Sequence, residues 1–138
     1  MEPVRYALPL RPQALLFNLR SDERTASIED FLAAHGVSFR RASVSDQSEK
    51  LGALFSLPGF EKKETPSFQP GFTEELFVMA GFDNELLDAF IRFFREKGLR
   101  RIALKAVLTP YNAGWDARFL LKQLLSEQRA IDARRLKR

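Results

Sequence analysis

The feature that most constrains this chain is an alternation of short apolar runs with helix-like stretches that stop at glycine, laid out twice. In the first half, the apolar run at 14–19 is followed by a helix-like stretch that ends at Gly36. In the second half, the run ELFVMAGF is followed by a stretch that ends at Gly98. Glycine stops a helix because it adopts the left-handed conformation without steric cost. Alternating strands and helices predict an α/β fold with parallel strand pairs.

The predicted fold class is α/β, with a four-stranded, mostly parallel sheet from two βαβα halves and with helices packed on it. We predict the strand order 2-1-3-4, because the apolar first and third strands belong in the centre. A ferredoxin-like α+β sheet is the alternative, but it needs a hairpin where the helix-like SEKLGALFSL stands. The two halves share the order of their predicted elements rather than amino-acid identity, which suggests an internal repeat.

The chain has 138 residues, 45% of them apolar, and we predict a single domain over 1–138. Its predicted parts are a first half, a connecting strap, a second half and a basic tail: 14–58, 59–73, 74–128 and 129–138. The strap carries Phe60, Phe68 and Phe72. An open linker has no use for three phenylalanines, so we expect their side chains to pack against the body.

Short polar motifs predict where the helices begin. Ser27, with Asp30 three residues later, is close to a capping box and predicts the start of the first helix. Asp83 is the predicted N-cap of the helix in the second half. Asn112 is the predicted N-cap of the last helix, which we expect to begin near Gly114.

The net charge of +4 comes entirely from the last ten residues. Residues 129–138 hold five basic residues and one acid, which leaves 17 of the 22 basic and 17 of the 18 acidic residues in 1–128. A balanced body need not have the basic face of a protein that binds phosphate backbones. The tail is therefore either a solvated helix end or a weak nucleic-acid contact. Its basic residues are Arg129, Arg134, Arg135, Lys137 and Arg138.

Several functional classes find no support in the sequence. The chain has no cysteine, which excludes disulfides, thiolate metal sites and a cysteine nucleophile. No run approaches the roughly 18 apolar residues of a membrane span, and the start lacks the pattern of a secretory signal, so we expect a cytoplasmic protein without membrane contact. We predict no cofactor, because no glycine-rich nucleotide-binding loop is present. We predict no metal site and no catalytic residue, because the sole histidine, His35, has no identifiable partners.

A ligand is expected at the carboxyl ends of the strands, where open parallel sheets bind. The third and fourth strands are predicted neighbours, so Asp83, Lys105, Thr109 and Asn112 could face one crevice, with Trp115 beside it. Each also has a structural interpretation. Lys105 suits an edge strand that resists aggregation. Thr109 suits the start of a turn, Asn112 a helix cap and Trp115 the core.

The stretch LKAVLTPYNAGWDARFLLKQLLSEQ resembles the signature of the bacterial family called domain of unknown function 3783. That signature has a Lys-Ala-Val-Leu-Thr strand end, an Asn, and a Trp that opens a helix of the form Leu-x-x-Leu-x-x-Glu. Here the matching residues are Lys105, Ala106, Val107, Leu108, Thr109, Asn112, Trp115, Leu121, Leu124 and Glu127. The resemblance extends from Glu74 to Gln128 and is loose in the first half. It implies a small bacterial cytoplasmic protein and no particular activity.

Three functional hypotheses follow from these observations. The leading one is a non-catalytic binding or regulatory module whose strand-end crevice takes a small anionic ligand or a protein partner. The first alternative is a nucleic-acid-associated protein that acts through its basic tail. The second alternative is an enzyme of a type without a recognisable motif.

Overall fold

The computed structural model describes residues 11–63 and 70–136. Its elements, in chain order, are β1 (Gln13–Phe17), α1 (Glu23–Ala34), β2 (Ser38–Ala42), a 3₁₀ turn (Ser45–Ser48), α2 (Leu51–Leu54), β3 (Leu76–Ala80), α3 (Asn84–Lys97), β4 (Leu104–Val107) and α4 (Ala117–Leu136). The described residues form two compact units. The sheet unit contains 11–43 and 73–110, and the helical unit contains 44–63, 70–72 and 111–136.

The four strands form one sheet in the order β2-β1-β3-β4, which confirms the predicted α/β fold and strand order. β1 pairs parallel with β2, and β3 pairs parallel with β4. The central pair, β1 with β3, is antiparallel, so the sheet is mixed. The ferredoxin-like alternative is not the observed fold, because a helical segment rather than a hairpin follows β2. The carboxyl ends of β1 and β2 therefore lie at one edge of the sheet and those of β3 and β4 at the other.

Helices α1 and α3 pack on the same face of the sheet. This helix face has a core of buried residues from both helices, from β1 and β3, and from the loops that follow the helices. They are Ala14, Leu16, Ile28, Leu32, Val37, Phe77, Met79, Phe90, Phe93, Phe94 and Ile102. The crossovers β1-α1-β2 and β3-α3-β4 run outwards in opposite directions from an antiparallel central pair. Under this condition two right-handed crossovers place both helices on the same face, as observed.

Aspartates begin both sheet-unit helices, and glycines follow them. The Asp22 Oδ1 accepts the Thr25 N–H at 2.9 Å, so the prediction that Ser27 caps the first helix is wrong. An aspartate one turn earlier provides an equally good cap, and Ser27 lies inside the helix. The Asp83 Oδ1 accepts the Leu86 N–H at 2.7 Å, which confirms Asp83 as the N-cap of α3. Gly36 and Gly98 have φ angles of 72° and 63°, in the left-handed region that favours glycine.

In the helical unit, the short helix α2 begins against the segment that leads into α4. The N–H groups of Leu51 and Gly52 donate to the carbonyl oxygens of Trp115 and Ala113, both at 2.8 Å. These bonds satisfy two of the four backbone donors that a helix start leaves without a partner. The helix predicted over SDQSEKLGALFSL is thus divided into the 3₁₀ turn and α2.

The described residues 59–63 and 70–72 of the strap belong to the helical unit and pack within it. The Phe60 ring lies against Gly52 so closely that an added Cβ would approach it to 2.6 Å. At the other end, Gln47 is buried and accepts the Phe72 N–H at 2.8 Å. Phe68, the third predicted anchor, lies outside the described residues.

Among the described residues, no helix combines the length and the apolar character that crossing a bilayer requires. The longest helix, α4, has 20 residues and carries charged side chains along its length.

Candidate functional site

One row of side chains crosses the helix face of the sheet and has a basic residue at each end. The strand register pairs Arg41 with Leu16, Leu16 with Phe77, and Phe77 with Lys105. Residues paired in this way point to the same face of a sheet. Leu16 and Phe77 belong to the helix-face core, so Arg41 on β2 and Lys105 on β4 flank that core.

The Arg41 end of the row is neutralised within the chain. Its Nε and Nη2 donate to the two carboxylate oxygens of Glu29 on α1, both at 2.8 Å, and its Nη1 donates to the Ser21 Oγ at 2.7 Å. The hydrogen bonds to Glu29 raise the pKa of Arg41 above its ordinary value. A bidentate Arg–carboxylate pair is the geometrically favoured form of this interaction.

The Lys105 end is different, because Lys105 lines a cavity of about 290 Å³ in which the described lining residues include no acid. Its other lining residues are Ile91, Phe94, Arg95, Leu99 and Arg101. The Nζ of Lys105 is 6.0 Å from the centre of the Phe94 ring. Burial lowers the pKa of Lys105, and the positive charge of Arg101 lowers it further. Across the part of the chain that the structure describes, no carboxylate forms an ion pair with the three cations of this cavity.

A buried cation at the edge of the sheet where β1 and β2 end and β4 begins is also paired. The Arg24 Nη1 donates to Glu75 at 2.8 Å, and its Nε donates to the Arg100 carbonyl oxygen at 2.7 Å. Arg24 is only 8% exposed, so this pairing offsets the cost of burying a charge. The surroundings of Lys105 therefore differ from those of Arg41 and Arg24, which both have a carboxylate partner.

Asp83 and Lys105, both predicted for one crevice, line different cavities. Asp83 lies at a larger, open cavity of about 1080 Å³ at the start of α3. That cavity mixes both signs of charge, with Glu85 and Asp88 against Arg11 and Arg92. Its carboxylate already accepts a backbone hydrogen bond as the cap of α3. The structure therefore accounts for Asp83 through helix capping and does not bring it to Lys105.

Thr109 follows β4 in the sheet unit, where the ladder extends one residue beyond the strand. The Leu108 N–H donates to the Met79 carbonyl oxygen at 2.7 Å, and Thr109 comes next, half-buried. Asn112 and Trp115 belong to the helical unit rather than to the sheet unit. Thr109 and Lys105 are thus in one unit, and the other two predicted residues are in the second.

The helix cap predicted at Asn112 is wrong. The Asp116 Oδ1 accepts the Phe119 N–H at 2.8 Å, so Asp116 caps α4, which begins at Ala117. Asn112 is buried, and its carbonyl oxygen accepts the Trp115 N–H at 2.9 Å within the preceding turn. Turn formation delays the helix by several residues, and the aspartate next to the first helical turn takes the capping role.

The buried side of α4 does not include Trp115, which the sequence placed in the core. Ala117, Leu120 and Leu121 are buried. Phe119 is 43% exposed, and the partly exposed Trp115 packs edge-on against it with 4.9 Å between ring centres. The aromatic pair therefore covers the flank of α4 rather than filling its buried side.

The basic tail is helical as far as the structure describes it. Arg129, Arg134 and Arg135 are exposed on the last turns of α4. Lys137 and Arg138 lie outside the described residues. Arg134 and Arg135 lie in the last turn of α4, where positive charge interacts favourably with the helix dipole. The contact of the tail with nucleic acid stays a prediction.

His35 and the acidic side chains do not assemble into a metal centre in the described ranges 11–63 and 70–136. The His35 ring stacks on Phe31 with 3.9 Å between ring centres, and its Nδ1 lies 2.8 Å from the Phe31 carbonyl oxygen. These contacts fix the ring at the end of α1.

Sequence reasoning found Lys105 but missed its companions in the cavity. Arg95 and Leu99 come from the end of α3 and the loop after it, and Arg101 comes from the approach to β4. The available signal was the spacing between Arg101, shortly before β4, and Lys105, within β4. It did not identify the cavity, because only the strand register shows which face Lys105 occupies.

The sheet unit thus defines an α/β protein with a cation-lined cavity beside an edge strand. Residues 75–131 match the model of the family described as Domain of unknown function (DUF3783), which confirms the resemblance predicted from the sequence. The matched segment covers 57 of the chain's 138 residues. No curated protein and no solved structure matches the chain significantly.

Proposed function

We propose that this chain is a non-catalytic binding module and that the Lys105 cavity takes a small anionic ligand. One observation carries the proposal: Arg41 and Lys105 occupy the two ends of one row, yet among the described residues only Arg41 has an acid beside it. A half-buried ammonium without a counter-charge is costly, and an anion from solution would reduce that cost.

The electrostatics of the cavity favour an anion over a neutral ligand. Three cations line it, and the charge of Arg101 already works against the protonated form of Lys105. An anion bound among them would screen this repulsion and accept hydrogen bonds from ammonium and guanidinium groups. The apolar side chains nearby lower the local polarity, which strengthens each of these interactions.

The proposal moves the site from the carboxyl end of β4, where the sequence predicts it, to the end where β4 begins. Lys105 remains its central residue, and Arg95 and Arg101 join it. Asp83 is left to its capping role, because a carboxylate in the same cavity would compete with the ligand for the cations. A bacterial origin and a cytoplasmic setting, which fit the family resemblance and a chain without cysteine, belong to the same proposal.

An internal duplication is also part of this proposal. Asp22 and Asp83 begin the two helices with the same side-chain cap, and Gly36 and Gly98 follow them in the same left-handed conformation. These matched positions support two copies of one β-α-β plan, in which the cation of the second copy lost or never acquired an internal partner.

The test compares two variants, Lys105→Met and Arg41→Met, by calorimetry with acetate and with inorganic phosphate at constant ionic strength. Both variants remove one cation from the same row, so they match in net charge. We expect the wild type and Arg41→Met to bind an anion and Lys105→Met to lose that binding by about tenfold or more. Equal affinity in all three proteins, or no binding by the wild type, would contradict the proposal.

A further inference from the structure

The Lys105 cavity is divided into a cationic part and an apolar part. Arg95, Arg101 and Lys105 supply the charge, and Ile91, Phe94 and Leu99 supply the apolar surface. A site for a bare inorganic anion needs only the first part. The second part is therefore informative about the kind of ligand that fits.

The apolar part includes a side chain that the fold does not use. Ile91 is 51% exposed, although Phe90, Phe93 and Phe94 beside it on α3 are buried in the helix-face core. An isolated exposed isoleucine is ordinary on a protein surface. Ile91 differs because it lines a concave surface together with cations, and a ligand body in that cavity would cover it.

The geometry points to an amphipathic monocarboxylate as the ligand, with its carboxylate among Lys105, Arg95 and Arg101 and a compact aromatic or aliphatic body against Ile91 and Leu99. This inference rests on the proposed anion-binding function. The volume of about 290 Å³ lies near the lower limit of small-molecule sites, so the body is small.

A carboxylate fits this cavity better than a phosphate dianion. Half of the lining is apolar, and Lys105 is partly withdrawn from water with its ammonium facing the Phe94 ring. A dianion gives up more hydration than a monoanion when it enters such surroundings. The planar carboxylate also matches the two parallel N–H groups of a guanidinium, which Arg95 and Arg101 each present.

The experiment uses the whole chain and four probes: acetate, phenylacetate, 2-phenylethanol and inorganic phosphate. Acetate and phenylacetate share the carboxylate, and phenylacetate and 2-phenylethanol share the ring. We expect phenylacetate to bind at least about tenfold more tightly than acetate, because burying the ring removes apolar surface from water. We expect 2-phenylethanol and phosphate to bind more weakly than phenylacetate.

Two variants locate the effect. Ile91→Ser, at an exposed position, should reduce the advantage of phenylacetate over acetate, because it removes apolar contact with the ring and keeps the three cations. Asp88→Asn changes a lining residue of the larger cavity, which Ile91 also borders, and should leave all affinities unchanged. Shifts of the Ile91 methyl signals in NMR spectra on adding phenylacetate would report contact directly.

The possible outcomes separate the two proposals. If acetate and phenylacetate bind equally and both depend on Lys105, the amphipathic ligand is wrong and the anion site stands. The same holds if phosphate binds most tightly. If no probe depends on Lys105, the anion site itself is wrong. If Asp88→Asn and not Ile91→Ser reduces the advantage of phenylacetate over acetate, the ligand lies in the larger cavity and the inference is overturned.

Discussion

The β1-α1-β2 half and the β3-α3-β4 half of the sheet unit share a frame and differ at their outer strands. Counted back from Gly36 and Gly98, Ile28 corresponds to Phe90, and both are buried in the helix-face core. By the same count Glu29 corresponds to Ile91. The first half therefore has a carboxylate facing its outer-strand cation, and the second half has an exposed isoleucine near Lys105.

This difference shows which positions of the helices can vary without weakening the fold. The positions that hold the helices on the sheet are apolar in both halves, so the frame does not depend on the charge of the outer strand. An isoleucine in place of an acid on the surface of α3 costs little stability, because surface ion pairs contribute little. The buried residues by which α3 holds to the sheet are therefore distinct from Ile91, which lines the proposed site.

The largest effect is expected on the free energy of unfolding, from variants of the core residues that occupy corresponding positions in the two halves. Phe90→Ala should reduce the free energy of unfolding by about 3–5 kcal/mol, because it leaves a cavity at a residue that contacts Phe77 and Phe94. Ile28→Ala, at the corresponding position, should cost about 2–5 kcal/mol. Urea unfolding followed by circular dichroism measures both, and a loss below about 1 kcal/mol at either position would contradict the shared core.

A change that makes the second half resemble the first should abolish the site. In Ile91→Glu, the new carboxylate can reach the cavity of Lys105 and act as Glu29 acts on Arg41. We expect anion affinity to fall by about tenfold and the pKa of Lys105 to rise. Ile91→Gln, of nearly the same shape, is the control and should keep most of the affinity. Equal losses in both variants would show that shape rather than charge is responsible.

The helix caps offer a smaller and more symmetrical test. Asp83→Ala should cost about 1 kcal/mol, because the Leu86 N–H loses its acceptor. Asp22→Ala should destabilise α1 in the same direction. The hydrogen bond from the Thr25 N–H lowers the pKa of Asp22, so its contribution is present above the ordinary aspartate pKa and disappears as the pH falls through the lowered value. Thermal unfolding between pH 2 and pH 7 should show that slope in the wild type and a flatter one in Asp22→Asn.

The smallest effect is expected from Lys105→Met in the absence of ligand. Because burial lowers the pKa of Lys105, the protonated side chain destabilises the folded state at neutral pH. The variant should gain a few tenths of a kcal/mol, since solvent screens a side chain that is partly exposed. That gain should vanish as the pH rises toward the ordinary lysine value of 10.5, where the penalty of the wild type disappears. A gain that does not change with pH would mean that better packing, not charge, is its cause.

The sequence predicted most of the sheet unit because its signals are local. Asp83 and Gly98 mark their helix ends through bonds to their own neighbours, and the apolar runs of β1 and β3 placed those strands in the centre. The antiparallel β1–β3 pair was beyond such reasoning, because the direction of two strands joined by a long connection depends on tertiary packing. Ser27 and Asn112 failed as caps for a related reason: Asp22 and Asp116 compete for the same role, and propensity does not rank them.

The candidate site was predictable in part. Lys105 was noticeable as a cation within an apolar run, which is a property of the sequence alone. Its surroundings depend on the pairing of Phe77 with Lys105 and on the end of α3, which bring Phe94 and Arg95 beside it. Such contacts across a crossover follow from register, and a shift of one residue would have turned Lys105 to the other face.

The antiparallel pairing of β1 with β3 gives the sheet unit an approximate twofold symmetry. Leu15 lies opposite Val78 at the middle of the two strands, and the parallel pair of β1 with β2 corresponds to the parallel pair of β3 with β4. The family match begins at residue 75 and so includes β3 without β1. Under the proposed duplication, the two copies meet along this central strand pair, and each β-α-β crossover stays within its own copy.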